Sequence, residues 1–323
     1  MKAARNRLEL FFFPAISDTW LSVLRAGLGV QIVLYSSSLY GEWHSLFAFE
    51  GGGWINRDLT EAILTANASL IPRIGWLVAV GNRLGLSEGI VLTLTWISLL
   101  SAGCFLIAGL YCRTAAILAW FLYVCAAKSG NLVLYGVDNF TIVGLFYLMI
   151  APFPDHFALD WKLRKLPGKD PQLHGFFRRV LQLHLCVIYF SGGISKCLGS
   201  EWWNGESMWR ALTRPPFNVI PISILVSGHA LLMVVGITVI VLETGYPLFI
   251  WLKKTRLIWL TGILCMHVMI GVTMGLYLFS LIMIVLNLAA FGGGVFWREK
   301  TPAQFTAADD LAHSSALPST PLP

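Results

Sequence analysis

Lys196 is the residue in this sequence whose type and position most directly suggest chemistry. It lies at the end of an apolar segment, in the run YFSGGISKCLGSEWWNGESM that begins at Tyr189. An amine that a hydrophobic helix holds away from water favours its uncharged form, and an uncharged amine can accept a proton. A lysine at the end of a membrane helix can equally extend its charge to the interface as an anchor. Spacing alone leaves both interpretations open.

The residues before Lys196 place a polar face on the same helix. Gln182, Tyr189 and Lys196 recur every seven residues and therefore share one helix face. Gly192 and Gly193 lack side chains, so either a neighbouring helix or a flat ligand can approach the backbone there. The residues predicted to contact such a ligand are Tyr189, Gly192, Gly193, Trp202 and, from a loop before a later apolar segment, Asn131.

His267 and Asp138 are the predicted supporting groups for Lys196. His267 lies about 10 Å from the outer end of its apolar segment, at 1.5 Å per helical residue, and could line the floor of an outward-facing pocket. Asp138 begins another apolar segment, where an aspartate commonly caps a helix. With Lys196 and His267 it could instead complete a polar pocket, and the sequence does not decide between these roles.

Two further charges lie deep in apolar segments. Arg25 is about 10 Å and Glu243 roughly 13 Å from the inner end of their segments, by the same helical rise. Charged side chains at membrane depth usually pair, so similar depth and opposite sign predict a structural ion pair between them. Pro247 has no N–H to donate to the carbonyl of Glu243, which leaves an acceptor free beside the acid.

Composition identifies the elements that must position these groups. The chain is 56% hydrophobic and 12% charged, with a mean hydropathy of +0.70, whereas soluble domains carry about 25% charge. The six cysteines form no CxxC pair, so neither a metal cluster nor a disulfide scaffold is expected. The sequence predicts an all-α, polytopic integral membrane bundle.

About eight apolar segments are long enough, or nearly so, to cross a bilayer. They lie near residues 18–39, 88–110, 114–128, 138–153, 177–196, 228–252, 256–274 and 276–295. A weaker apolar stretch at 70–81 is expected to be a re-entrant or surface helix.

The basic residues predict the orientation of these spans. With the N-terminus inside, 15 of the 23 Lys and Arg residues lie in inner segments and seven in outer ones, and Arg25 lies within a span. This asymmetry follows the positive-inside rule and accounts for the net charge of +6 without a nucleic-acid partner. Both termini are therefore predicted to be cytoplasmic in the cell (inner) membrane, with Lys196 at the outer face.

The predicted organisation is a single transmembrane domain between two short cytoplasmic segments. Residues 1–17 form a lead-in, residues 18–300 the membrane domain, and residues 301–323, rich in Pro, Ser and Ala, a disordered tail.

The run from Tyr189 to Met208 resembles the membrane domain of vitamin K-dependent gamma-carboxylase and the bacterial horizontally transferred transmembrane domain (HTTM) family. The shared pattern is Tyr-Phe, a pair of small residues, a lysine, a tryptophan, and then Gly-x-Ser-Met. Three weaker similarities support it, namely Arg25 within LRAGLGV, the element Tyr135-Gly-Val-Asp-Asn139, and Glu243 with Pro247 followed by His267. The resemblance covers about residues 15 to 295.

The resemblance implies a lumenal or periplasmic site in which Lys196 is a base. In the carboxylase the matching lysine deprotonates vitamin K hydroquinone, whose oxidation by oxygen drives carboxylation of glutamate. A quinol cofactor of the vitamin K or menaquinone type is therefore expected, and no metal. The carboxylase has a large soluble domain after its helices and a histidine where Asn131 stands, so a smaller quinol-linked reaction is the more consistent expectation.

Three functions remain open at this point. The first is a quinol-dependent oxidoreductase or carboxylase-like enzyme. The second is a non-catalytic membrane component that helps mature, export or confer immunity to a secreted peptide, with Trp202, Trp203 and the outer loops as its binding surface. The third is a carrier with Arg25 and Glu243 on a proton path, which ranks last because no half-repeat is visible.

Overall fold

The computed structural model describes residues 2–48, 57–130, 135–164 and 170–297. Every regular element in these ranges is a helix. The first nine helices are α1 (Lys2–Phe12), α2 (Thr19–Ser38), α3 (Trp43–Phe47), α4 (Arg57–Ala68), α5 (Ile74–Arg83), α6 (Glu88–Ala108), α7 (Cys112–Ser129), α8 (Gly136–Ile150) and α9 (Leu159–Arg164). The remaining seven are α10 (Pro171–Leu198), α11 (Ser200–Trp203), α12 (Glu206–Thr213), α13 (Ile222–Ser227), α14 (His229–Phe249), α15 (Lys253–Met274) and α16 (Tyr277–Phe291).

Each of the eight predicted apolar segments is a helix in the structure, namely α2, α6, α7, α8, α10, α14, α15 and α16. Four of these, α6, α10, α14 and α15, are long and apolar enough to cross a membrane, and α8 and α16 are shorter apolar helices. The protein is therefore an all-α membrane protein with four clear candidate spans. The weak stretch at 70–81 overlaps α5, which packs against α6 and α7.

Helices α6 and α7, α7 and α8, α14 and α15, and α15 and α16 are joined by few residues and are therefore antiparallel neighbours. The Arg113 side chain at the start of α7 donates to the carbonyls of Met149 and Ala151 at the end of α8. We call the end of the bundle at which α2 begins the near end, and the opposite end the far end. Lys196 is in the last turn of α10, at the far end of that helix.

Two central helices form the axis of the bundle. Trp20, Leu21, Leu24, Leu28 and Ile32 of α2 are almost completely buried. Helix α16 is buried on most of its circumference and packs against α2, α15, α10 and α8. The polar residues of the bundle interior are thus enclosed by protein.

Candidate functional site

Lys196 forms an ion pair with Glu243. Its Nζ lies 2.5 Å from Glu243 Oε2 on α14, and the two side chains are only 21% and 11% exposed. The same Nζ lies 5.2 Å from the centre of the Trp202 ring, within the range of a cation–π contact. The amine therefore lies between a carboxylate and an aromatic face.

Two glycines allow α10 and α14 to approach at this point. A Cβ on Gly192 would lie 3.1 Å from Glu243 Oε2 and 3.5 Å from Lys196 Nζ, so its absence leaves room for the pair. A Cβ on Gly193 would lie 2.7 Å from the backbone nitrogen of Thr244, so the two backbones are in direct contact there. Of the two alternatives that the sequence leaves open for Gly193, the neighbouring helix is the one observed. The space that a Cβ of Gly193 would occupy is filled by α14, and a cofactor contact at Gly193 stays a prediction.

Helices α11 and α12 cover the ion pair on its far-end side. Two glycines hold them against α14: a Cβ on Gly236 would lie 2.6 Å from the carbonyl oxygen of Trp202, and one on Gly205 would lie 2.8 Å from the nitrogen of Met233. Gly205 also has a φ of +84°, a backbone conformation that favours glycine. These contacts hold the Trp202 ring over Lys196.

The ion pair is consequently not at the tip of the bundle. From Thr244, which contacts Gly193, α14 continues for 15 residues to His229, or roughly 22 Å. The sequence places Lys196 at the outer face, and in the structure the Trp202 ring of α11 lies over its amine.

A second polar cluster lies on the same face of α10, one to two helical turns from Lys196 towards the near end. Tyr189 Oη lies 2.8 Å from His267 Nε2 of α15. Asn287 of α16 donates from Nδ2 to Tyr189 Oη at 2.7 Å, and Tyr246 of α14 donates to Asn287 Oδ1 at 2.7 Å. All four side chains are buried, and His267 Nδ1 has no hydrogen-bond partner among the described residues.

Both clusters lie along the contact between α10 and α14. The Tyr189 ring packs against the Tyr246 ring, with centres 4.3 Å apart. Farther along α10 come the backbone contact at Gly193 and then the pair of Lys196 with Glu243. Tyr189 and Lys196, which the sequence places on one face of α10, both lie at this contact, and Tyr189 also contacts His267. The arrangement supplies a proton-carrying ion pair beside a buried chain of hydroxyl, amide and imidazole groups.

The family model described as the HTTM domain matches residues 82–291, which is more than half of the 323-residue chain. The chain belongs to the HTTM family. No curated protein and no solved structure matches it.

The HTTM match includes every residue of both polar clusters but not α2. It covers the Tyr135 element, the lysine run and the segment from Glu243 to His267, so three of the four similarities noted in the sequence lie within the HTTM domain. The fourth, around Arg25, lies before it.

Asp138 has a structural role in this HTTM protein. Its carboxylate accepts hydrogen bonds from the backbone of Tyr135 at 3.2 Å and from the Tyr123 hydroxyl at 3.0 Å, and it closes a capping box at the start of α8. No hydrogen bond or ion pair in the described ranges joins Asp138 to Lys196 or His267. The capping alternative is thus observed, and the predicted pocket with Lys196 and His267 is not. Asn131 lies outside the described residues.

The predicted pair of Arg25 with Glu243 is wrong. Arg25 pairs with Asp155, its Nε lying 2.7 Å from Asp155 Oδ2, while Glu243 pairs with Lys196. The prediction failed because equal depth does not imply the same neighbours. Helix α2 packs mainly against α6 and α16, whereas α14 packs against α10.

Sequence reasoning missed Asn287, Tyr246 and Asp155. Asn287 carries a signal that was available, because an amide in the middle of a highly apolar segment needs an internal partner. Asp155 follows the end of α8 in a connecting segment, and nothing in its local sequence marks it as buried.

Proposed function

We propose that this HTTM protein is a membrane enzyme in which Lys196 accepts a proton from its substrate. The observation that carries the proposal is the pair of Lys196 with Glu243, enclosed between α10, α14 and α11. Ionisable side chains at such depth are costly, and function is the usual reason for keeping them. An anchoring lysine would extend to water instead of turning back over Gly192 to a buried carboxylate.

Glu243 gives Lys196 a route to the uncharged form. Transfer of one proton over the 2.5 Å from Lys196 Nζ to Glu243 Oε2 converts the ion pair into a neutral amine and a carboxylic acid. Enclosure disfavours two separate charges, so the neutral pair becomes accessible there. The amine can then take a proton from a substrate hydroxyl. The Trp202 ring, beside Nζ, stabilises the ammonium that results.

We further propose a quinol, of the vitamin K or menaquinone type, as the substrate or cofactor. The residues present suit such a flat, weakly polar ring: Trp202 offers an aromatic surface beside Lys196, and the unpaired His267 Nδ1 offers a buried polar contact. A bound quinol would supply the hydroxyl proton and the electrons of an oxidation by oxygen. Carboxylase-like chemistry on a secreted peptide is the most specialised form of this proposal.

For the orientation we propose the cell (inner) membrane with both termini cytoplasmic. The basic residues support this, because most of those in the described ranges lie at the near end. The far end, with α11, α12 and the Lys196 site, is then on the outer side.

The base proposal is tested by Lys196→Met. We expect the purified variant in lipid nanodiscs to lose quinol-dependent oxygen uptake, with a reduced short-chain naphthoquinone as the probe, while its thermal unfolding remains cooperative. Lys254→Met, which removes an exposed lysine at the near end, is the matched control and should retain the parent rate. Oxygen uptake by Lys196→Met at the rate of the parent would exclude Lys196 as the base.

The second candidate is a non-catalytic component that handles a secreted peptide. The exposed apolar side chains at the far end favour it: Trp203 is 46% exposed, and Ile222 and Ile224 of α13 are 61% and 62% exposed. In that case Lys196→Arg should be tolerated, because arginine keeps the charge beside Glu243. Under the base proposal it should be as inactive as Lys196→Met, because arginine does not give up its proton.

A further inference from the structure

The hydrogen bonds of the buried cluster around Asn287 determine where the polar hydrogens of its side chains lie. Asn287 Nδ2 lies 2.8 Å from the carbonyl oxygen of Met283, which can only accept, so the amide NH₂ must face that side. The same NH₂ lies 2.7 Å from Tyr189 Oη and donates to it. Asn287 Oδ1 then faces Tyr246, whose hydroxyl donates to it.

This orientation extends through Tyr189 to His267. Because Tyr189 Oη accepts from Asn287, its own hydrogen is free to point at His267 Nε2, 2.8 Å away. Nε2 is then an acceptor, and a neutral imidazole with an accepting Nε2 carries its hydrogen on Nδ1. The opposite tautomer would leave both the Tyr189 hydrogen and the Nδ1 lone pair without partners.

His267 therefore presents an N–H that has no acceptor. The residue is 3% exposed, and none of the described residues accepts a hydrogen bond from Nδ1. A buried donor left unpaired costs about 1–3 kcal/mol, so such groups usually serve a ligand or an ordered water. The ring lies among aromatic side chains, with the Phe279 and Tyr189 ring centres 5.7 Å and 6.1 Å from its own. An uncharged oxygen acceptor on a flat ring suits this setting, since a carboxylate or phosphate would be costly to bury here.

We propose that Asn287, acting through Tyr189, fixes His267 as the Nδ1–H tautomer so that this N–H donates to a carbonyl oxygen of a bound quinone-class ligand. This identification of the ligand rests on the proposed quinol function. Asn287 and Tyr246 are positioning residues, and His267 is the residue that contacts the ligand. A buried water offers the same neutral oxygen, and the experiment separates the two.

The tautomer can be read directly by solid-state NMR of the full chain in lipid, with ¹⁵N-labelled histidine and the His267 signals assigned by their loss in His267→Gln. We expect a protonated Nδ1 and an unprotonated Nε2. Tyr189→Phe, a nearly isosteric change, and Asn287→Leu should each reduce the preference for this tautomer roughly fivefold to tenfold, the value of one hydrogen bond. Tyr147→Phe is the control, because Tyr147 pairs with His184 and not with His267. A protonated Nε2 in the parent protein, or no change in Tyr189→Phe, would overturn the inference.

The ligand is tested by adding menadione to the same sample. We expect the Nδ1 resonance to move on addition of the quinone and the movement to be lost in Asn287→Leu. No movement at saturating quinone would assign the donor to water and exclude the ligand. The tautomer is read without turnover and without added quinone, so failure of Lys196 as a base in the oxygen-uptake experiment does not alter this result.

Discussion

Arg25 and Asp155 show how this bundle accommodates charge without exposing it. Asp155 accepts from Nε and Nη2 of Arg25 and from the hydroxyl of Ser22 at 2.6 Å, while Arg25 Nη1 donates to the carbonyls of Leu106 and Ile107. The two charged side chains are 3% and 0% exposed. Every donor and acceptor in this group has a partner, which is the arrangement expected of a structural ion pair.

Removing one member of this pair should destabilise the protein strongly. Arg25→Met leaves the Asp155 carboxylate buried without its counter-charge, for which we expect a loss of about 3–5 kcal/mol. The measurement is the unfolding midpoint in a detergent titration.

The double variant Arg25→Met/Asp155→Leu is the control for that prediction. It removes both charges, so we expect it to be more stable than Arg25→Met alone. A double variant less stable than the single one would show that the cost comes from lost packing and not from an unpaired charge.

At the residue scale, the sequence identified the chemical groups better than their partners. Lys196, Glu243, Tyr189 and His267 all lie in the two polar clusters, because polar side chains in apolar helices are visible in one dimension. Which of them meet depends on helix neighbours, and depth along each helix carries no information about those neighbours.

At the scale of the helices, the contact of α10 with α14 depends on Gly193. Gly193→Ala introduces a Cβ 2.7 Å from the backbone nitrogen of Thr244. A backbone cannot move aside as a flexible side chain can, so we expect the helices to separate slightly, at a cost of about 1–3 kcal/mol.

Gly89→Ala is the matched control for that change. Gly89 is also within a helix, and a Cβ there would have nothing within 4 Å. Alanine should therefore be neutral there, or stabilise by about 0.5–1 kcal/mol. Thermal unfolding of the two variants in the same lipid decides the matter, and equal midpoints would argue against a close contact at Gly193.

Whether a helix is central or peripheral in the bundle explains how clearly its composition marks it as a membrane span. The most apolar windows of α6, α10, α14 and α15 are only 22–39% buried within the protein, so these helices must be apolar to face lipid. Helix α2 carries Arg25, Gln31 and Ser36 on its buried side, where Asp155 pairs with Arg25 and the Thr141 hydroxyl accepts from Gln31 Nε2. The sequence predicted all eight helices, but it treated the far-end segment after Lys196 as a loop. Helix α12 in that segment is only eight residues long and depends on packing against α14.

For the whole molecule, the proposed orientation makes the two ends chemically distinguishable in intact cells. In a cysteine-free background, Arg214→Cys places a thiol at the far end and Lys254→Cys places one at the near end, both at exposed positions. We expect a membrane-impermeant maleimide to label Arg214→Cys in intact cells and Lys254→Cys only after lysis. The reverse pattern would place the Lys196 site on the cytoplasmic side.

The contact between α2 and α16 has a consequence for how the protein is made. These are the first and last of the eight bundle helices, and they pack so closely that a Cβ on Gly27 would lie 2.5 Å from the side chain of Val285. During synthesis, α2 is complete about 240 residues before α16 begins, while ribosomes add roughly 5–20 residues per second. The side of α2 that packs on α16 must therefore wait for its final surroundings, and a chain released before residue 277 would present that side to quality-control proteases.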